Sequence, residues 1–376
     1  MNPVKSFLTY ISPALLMGAL ALFFLVGAAS AQRLNELPPP PPSPKYKPKP
    51  TPTPVPPAYD PLDVVRITSN LVMVPVSVVD DKGQPVHGLQ ASDFHLEEAG
   101  QPQQISEIGD PEQVPLDIAL LFDISSSVSQ KGFFALQQKA AASFLRQVLK
   151  PADKAAVFTI GEEPILVAPL APAETAAATL LKIPAANAPV PTAFYDTVTA
   201  AAKYLIANSP PRRRRVIVVI TDGDDNFSHL VQDLTVAEAR ANEKGEITPA
   251  AARVSLQARH RQAVLEVQRL VQQADAAFYS INPGGPSVHL NQISMRAEGG
   301  MESIASATGG TAFLPDSDKE LESVFSEVAA ELRGQYLVQY YSNSQLPSGQ
   351  FRTITVTIPA HREVHIRARQ GYYPKK

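Results

Sequence analysis

Hydrophobic positions along this chain fall into two kinds of run. From 118 to 122 and from 216 to 220 every residue is apolar, which reads as strands buried on both faces. Around them, apolar residues recur at helical spacing. A helix is predicted over 130–149, with Phe133, Phe134, Leu136, Phe144, Leu145 and Val148 available for its buried face. Further strands are predicted at 155–160, 165–170, 278–281 and 311–314. Further helices are predicted at 174–182, at 192–207, in a region ending with 255–274, at 301–307 and at 318–332, the last capped at Gly334. Pro164 and Pro172 bound the segment 165–170 and assign it to a sheet edge. Strands separated by helices predict an α/β fold with a doubly wound, mostly parallel sheet over 116–333.

The flanks have a different rhythm. Residues 64–79 are rich in β-branched side chains and partly alternate, and Asp80-Asp81-Lys82-Gly83 reads as a turn. The segments 94–98 and 103–108 read as a hairpin around Ala99-Gly100. Strands return at 336–341, 352–358 and 364–369. These strands have no helices to cover them, so they need a partner sheet. The expectation is one split β-sandwich, its halves at 61–115 and 334–376, with the α/β domain inserted between them.

The first 31 residues read as an export signal: Lys5 precedes an apolar stretch over 7–28, and Ala29-Ser30-Ala31 is a small-x-small cleavage site. The apolar stretch is longer than a usual signal core and approaches the ~20 residues that span a bilayer, so an uncleaved anchor stays open. Both readings put the remainder outside the cytoplasm, in the periplasm, on the cell surface or secreted. Residues 32–60 form a linker with twelve prolines between Pro38 and Pro57. Such a run favours extended polyproline II and reaches roughly 60 Å, as a semi-rigid spacer or a disordered tether. The net charge of −3 over 376 residues points away from nucleic acid. The absence of cysteine excludes disulfides and thiolate metal sites.

Candidate chemistry gathers where the apolar strands end. In a doubly wound sheet of order 3-2-1-4-5-6 the ligand crevice opens between strands 1 and 4, at their carboxyl ends. Taking 118–122 as strand 1 and 216–220 as strand 4 brings Asp123 and Asp222 to one crevice. Ser125 and Ser127 follow Asp123, and the loop bearing Thr192 can reach the same edge. Two carboxylates and three hydroxyls are hard oxygen donors, which suit Mg²⁺, Mn²⁺ or Ca²⁺ rather than zinc. A cation held mainly by neutral hydroxyls stays electron-poor and seeks an anionic oxygen from a partner, which is binding without bond breaking.

Asp123-x-Ser125-x-Ser127, Thr192 and Asp222-Gly223, in that order, resemble the metal-ion-dependent adhesion site of von Willebrand factor A domains. The flanks also resemble a bacterial, Acidobacteria-type group of proteins related to that family: VPVSVVDDKGQPVHGLQASDFHLEEAGQPQQI at the start, YLVQYY, FRTITVTI and VHIRARQGYY at the end. The resemblance covers about 64–373. It implies that Ser125, Ser127 and Thr192 contact a metal, that Asp123 and Asp222 coordinate it directly or through water, and that the module serves adhesion or protein interaction through a partner's acidic side chain. A helical insert at about 230–261 departs from the family pattern and lies beside the crevice.

Other groupings of residues admit other readings. Asp222, Asp224, Asn226, Ser228 and Asp233 partly match a calcium loop, with Phe227 where glycine belongs. His361 and His365 have metal-binding spacing for a helix but sit in a strand pattern. Arg212–Arg215 reads as a solvated loop or an anion-binding patch. The insert's apolar stripe packs on the domain or meets a partner helix. No nucleophile elbow, phosphate loop or zinc helix is present, and His229 is the one histidine placed to serve Ser125 or Ser127 as a base. The functional expectation is a non-enzymatic, Mg²⁺-dependent interaction module; the alternative is a metal-independent envelope scaffold.

Overall fold

The computed structural model describes residues 71–125, 134–286, 292–361 and 363–374. The expected signal or anchor (1–31), the linker (32–60), residues 61–70, the candidate ligand Ser127 and the first residues of the helix expected at 130–149 lie outside them. Among the described residues, no helix is long and apolar enough to cross a membrane.

The centre is β5 (Leu116–Asp123), in which every residue is buried. It pairs in parallel with β6 (Lys154–Ile160) on one side and β8 (Arg214–Ile220) on the other, with Leu120 opposite both Val157 and Val218. Beyond β6 lies β7 (Ile165–Ala171), antiparallel at the edge. Beyond β8 lie β9 (Ala276–Ile281) and the short β10 (Ala312–Phe313), both parallel. The order β10-β9-β8-β5-β6-β7 is the doubly wound order expected from the sequence.

Side chains of β5 alternate between two layers, as strand geometry requires. Leu116, Ile118, Leu120 and Phe122 pack with α1 (Phe134–Val148), α2 (Ala173–Leu180) and α8 (Asp318–Gly334). Ala119 and Leu121 face α3 (Phe194–Asn208), α6 (Pro249–Gln273) and α7 (Gln292–Thr308). Two short helices, α4 (His229–Gln232) and α5 (Val236–Glu243), precede α6. Helix α7 is far longer than the expected 301–307. Gly299 and Gly300 weaken helical propensity there, but Gly300 serves packing: a Cβ on it would lie 3.2 Å from Val264 of α6.

The flanking strands form two four-stranded sheets that each mix both ends of the chain. One is β13-β1-β11-β4, from β1 (Leu71–Val79), β4 (Ile105–Gly109), β11 (Tyr336–Tyr341) and β13 (His365–Ala368). The other is β14-β12-β2-β3, from β2 (His95–Glu98), β3 (Gln101–Pro102), β12 (Arg352–Thr357) and β14 (Gly371–Tyr372). Val74, Val76, Leu96, Val338, Tyr340 and Ile354 share one core. The expected hairpin 94–98/103–108 is corrected: β2 turns at Ala99-Gly100, both at positive φ, into two-residue β3. The chain then crosses to the other sheet, where β4 pairs with β11.

Two buried polar devices tie these parts together. Glu331, near the end of α8, accepts from Ser77 of β1 (2.7 Å), Tyr279 of β9 (3.0 Å) and Arg367 of β13 (2.7 Å). The second device is the arginine run at the start of β8. Expected as a solvated loop, it is mostly internal, because the helices of the domain end around it. Arg213 pairs with Asp117. Arg214 donates to Leu332 O at the end of α8. Arg215 donates to Ser209 O and Ala274 O, the C-caps of α3 and α6. Cations at helix C-termini meet unsatisfied carbonyls and the negative end of the macrodipole. Only Arg212 is exposed.

Candidate functional site

The site is built at the carboxyl ends of β5, β6 and β8, where backbone groups leave the ladder. At the end of β5, Asp123 is completely buried and its Oδ1 accepts the Ser125 N–H at 2.7 Å. Ile124 N donates to Ile160 O, so the turn is held against the end of β6. From β8, Thr221 donates its hydroxyl to Asp123 Oδ2 at 2.5 Å and accepts the Gly223 N–H at 2.9 Å. Gly223 has φ +72, and a Cβ there would meet Met301 of α7 at 2.7 Å. The tight turn after Asp222 therefore requires glycine.

The Thr192 loop joins from a third direction. Thr192 N donates to Asn226 Oδ1 at 2.9 Å, and Thr192 O accepts from both Asn226 N and Phe227 N at 3.1 Å. Ala193 N donates to Gly161 O after β6. Behind this lacing, Asp225 accepts from Tyr195 N, Ser228 N, Ser228 Oγ and Phe227 N. Asp196 receives His229 N, and Ser228 Oγ receives Asp196 N. The first turn of α3, which begins two residues after Thr192, is thus fastened to the loop after Asp222 through side-chain oxygens.

Of the five expected ligands, four are described. Asp123, Ser125 and Thr192 are buried, Asp222 is half-buried, and the loops that bear them are bonded to one another at a single sheet edge. Asp222 Oδ1 is a buried oxygen with no hydrogen-bond partner among the described residues. Burial pushes the Asp123 carboxyl up from 3.8 to about 6; its hydrogen bonds from Ser125 and Thr221 oppose this, and the Asp222 charge adds to it. Asp224 is also raised, by burial and then by Asp222, against Arg296. Arg296 of α7 lies 3.8 Å from Asp224. An edge with an orphaned carboxylate oxygen and a desolvated second carboxylate fits a hard cation. No group of three or more His, Cys, Asp or Glu that could hold a metal occurs among the described residues, so a cation here depends on hydroxyl ligands.

Sequence reasoning overlooked Thr221, Asp225, Asp196 and Arg296. Thr221 sits at the β8 end beside Asp222, a position from which its role was readable. Arg296 was not, because the start of α7 was placed too late.

The rival readings fare differently. The calcium-loop residues are dispersed: Asn226 serves Thr192, Ser228 serves Asp225 and Asp196, and Asp233 is an exposed neighbour of His229. His361 and His365 face different carboxylates, Glu363 and Asp81, each at 3.2 Å. His229 is exposed, with Nδ1 3.5 Å from Asp233. The insert packs through Val231, and the part of α6 that continues beyond it packs through Ala263, Val267 and Val271, all buried. Helix α5 buries nothing and is held by its Thr235–Glu238 capping box and the Arg259–Glu238 ion pair.

Residues 117–327 match the family model of the von Willebrand factor type A domain. No curated protein matches the sequence. Among solved structures the chain is similar to the PilB minor pilin of Streptococcus sanguinis, at 12% identity and TM-score 0.42, over 59% of this chain and 62% of that one. It is similar to a von Willebrand factor type A protein of Catenulispora acidiphila, at 11% identity and TM-score 0.44, over 82% and 64%. It is also similar to proximal thread matrix protein 1 of the mussel byssus, solved with a zinc-occupied MIDAS motif, at 15% identity and TM-score 0.39, over 61% and 48%. The chain spans less than two thirds of the length of each of these structures.

Proposed function

The chain belongs to the von Willebrand factor type A domain family, and we propose that it is an exported, non-enzymatic interaction module that binds a partner's acidic side chain through a divalent cation. The observation that carries this reading is the lacing of three loops at one sheet edge, with Asp222 Oδ1 left without a hydrogen-bond partner among the described residues.

Ser125, Ser127 and Thr192 are the direct ligands in this reading, and Asp123 and Asp222 coordinate directly or through water. Mg²⁺, or Mn²⁺ or Ca²⁺ in its place, supplies Lewis acidity and a coordination position for a carboxylate oxygen. Thr221 orients Asp123, and Asp225 ties the backbone just after Thr192, at Tyr195, to that of Phe227 and Ser228 in the loop after Asp222. The N-terminal segment exports the module, as a cleaved signal or as a retained anchor that attaches it to a membrane or the envelope.

Calorimetric titration of the purified chain with Mg²⁺ and Mn²⁺ tests this, with Asp123→Ala and Thr192→Ala as controls. Binding heat in the parent and its loss in both variants is the expected result. No heat in the parent, at concentrations up to millimolar, removes the metal-dependent reading.

A second reading has its own observation. Glu331 bolts α8 to both β9 and the flanking sheet, which suits a rigid scaffold of the envelope. In that case partner capture from envelope extract is indifferent to EDTA.

A further inference from the structure

A cavity of about 760 Å³ opens at the other end of the central sheet, beneath the start of β8 and β9, between the α/β domain and the flanking strands. Strand β8 has seven residues, so this cavity lies on the order of 20 Å from the Asp222 edge. Its volume falls within the range of about 300–1,000 Å³ typical of small-molecule pockets.

Six arginines line it: Arg212, Arg213, Arg214, Arg215, Arg352 and Arg369. Three have carboxylate partners, since Arg213 pairs with Asp117, Arg352 with Glu98 and Arg369 with Asp275. The other three have none. Arg214 and Arg215 spend their terminal nitrogens on neutral oxygens, backbone carbonyls and the Gln335 side-chain amide, and the Nε of each is buried with no acceptor among the described residues. Burial lowers the pKa of both, against the opposing pull of Asp153 and Asp110 on Arg214 and of Asp117 on Arg215. The lining carries six guanidiniums and one carboxylate, that of Asp275, so the cavity wall is positive even though acids behind it act on Arg214 and Arg215.

Arg212 adds a separate observation. It is exposed at φ +63, in the left-handed region, and makes no hydrogen bond or ion pair with a described residue. A non-glycine residue in that conformation costs on the order of 1 kcal/mol, yet the fold places an exposed guanidinium there. The remaining wall is apolar in part: Leu71, Met73 and Leu346 contribute to it, and Leu71 and Leu346 are exposed.

We propose that this cavity is a second ligand site, which takes a small organic anion, a carboxylate or phosphate attached to an apolar body. Arg212 at the rim, with Arg214 and Arg215 beneath it, neither in a direct ion pair with a described residue, supplies the field, and Leu71, Met73 and Leu346 take the apolar part. The site does not rest on the metal-binding reading.

The test is calorimetry on the full chain with octanoate and octyl phosphate, against octanol and octyltrimethylammonium, each below its micelle concentration and in EDTA. The expected result is binding of at least one anion about tenfold or more tighter than both controls. The two anions separate a carboxylate from a phosphate preference. Arg212→Gly suits the positive φ, so it preserves folding while weakening the anion roughly tenfold; Leu346→Asp abolishes binding by repulsion. Equal affinity for anion and alcohol overturns the proposal. So does anion binding that neither substitution weakens.

Discussion

Asp123 and Thr221 stand at the ends of two adjacent parallel strands with Oδ2 and Oγ1 2.5 Å apart. That hydrogen bond joins the first and last parts of a motif separated by about a hundred residues. It also supplies only a neutral donor to a carboxylate removed from water. The fold without a cation therefore favours the protonated acid.

The first prediction follows from this. Folded, Asp123 keeps its proton to about pH 6; unfolded, it releases it near 3.8. Its contribution to stability is full below the unfolded value and is lost as pH rises through the folded one. In EDTA at neutral pH, Asp123→Asn removes the ionisation penalty and gives up one hydrogen bond, for a net gain of about 1–2 kcal/mol. Urea melts from pH 4 to 8 measure it. Parallel profiles for parent and variant contradict it, and Mg²⁺ should stabilise the parent alone.

Glu331 gives a prediction about the seam between the α/β domain and the flanking strands. It is 3% exposed and holds three donors from three strands. Glu331→Ala leaves Arg367 without its ion-pair partner and Tyr279 and Ser77 without their acceptor, a loss of about 3–5 kcal/mol. Glu331→Gln keeps an acceptor and loses less. Equilibrium denaturation separates the two, and equal effects from Ala and Gln count against the charge being the bolt.

The architecture was legible where the hydrophobic pattern was unambiguous. Strands β5 and β8 are continuous apolar runs, and their ends located Asp123 and Asp222. The edge position of β7 was readable from its prolines. The crossing of the chain from β3 to β4 was not, because alternation cannot say which sheet a short strand joins. Nor was the fate of Arg213, Arg214 and Arg215. Charge reads as exposure until the helix ends that absorb it are in place. The length of α7 was hidden by Gly299-Gly300, whose reason lies in contact with α6. At the site, Asp225 reads as one more loop acid beside Asp224, although all its work is inside the fold.

His260 supplies a prediction of opposite sign to Asp123. It lies buried on α6, its ring 6.0 Å from that of Tyr195. Burial, with Arg296 and Arg259 nearby, lowers its pKa from 6.5 to about 4. The unfolded chain then takes up a proton below pH 6.5 that the folded chain refuses until about 4. Stability falls as pH drops through that window and levels off below it. His260→Phe retains a ring and removes the titration, so its profile loses this slope. Persistence of the full slope in the variant assigns it elsewhere.

Asp225 tests whether the lacing matters to function, because it is not among the proposed ligands. Its carboxylate accepts from the backbone N–H of Tyr195, Phe227 and Ser228 and from the Ser228 hydroxyl. These bonds hold α3, which follows Thr192, against the loop that follows Asp222. Asp225→Ala orphans buried donors and is expected to destabilise the fold by about 2–4 kcal/mol. Asp225→Asn keeps an acceptor for part of the set, loses less and is the variant to use for binding. Calorimetry on it should show Mg²⁺ affinity reduced about tenfold or more, with Ser125, Thr192 and Asp222 all intact. A loop set that gathers around the cation unaided would keep its affinity in Asp225→Asn, and the preformed arrangement would then be irrelevant to binding.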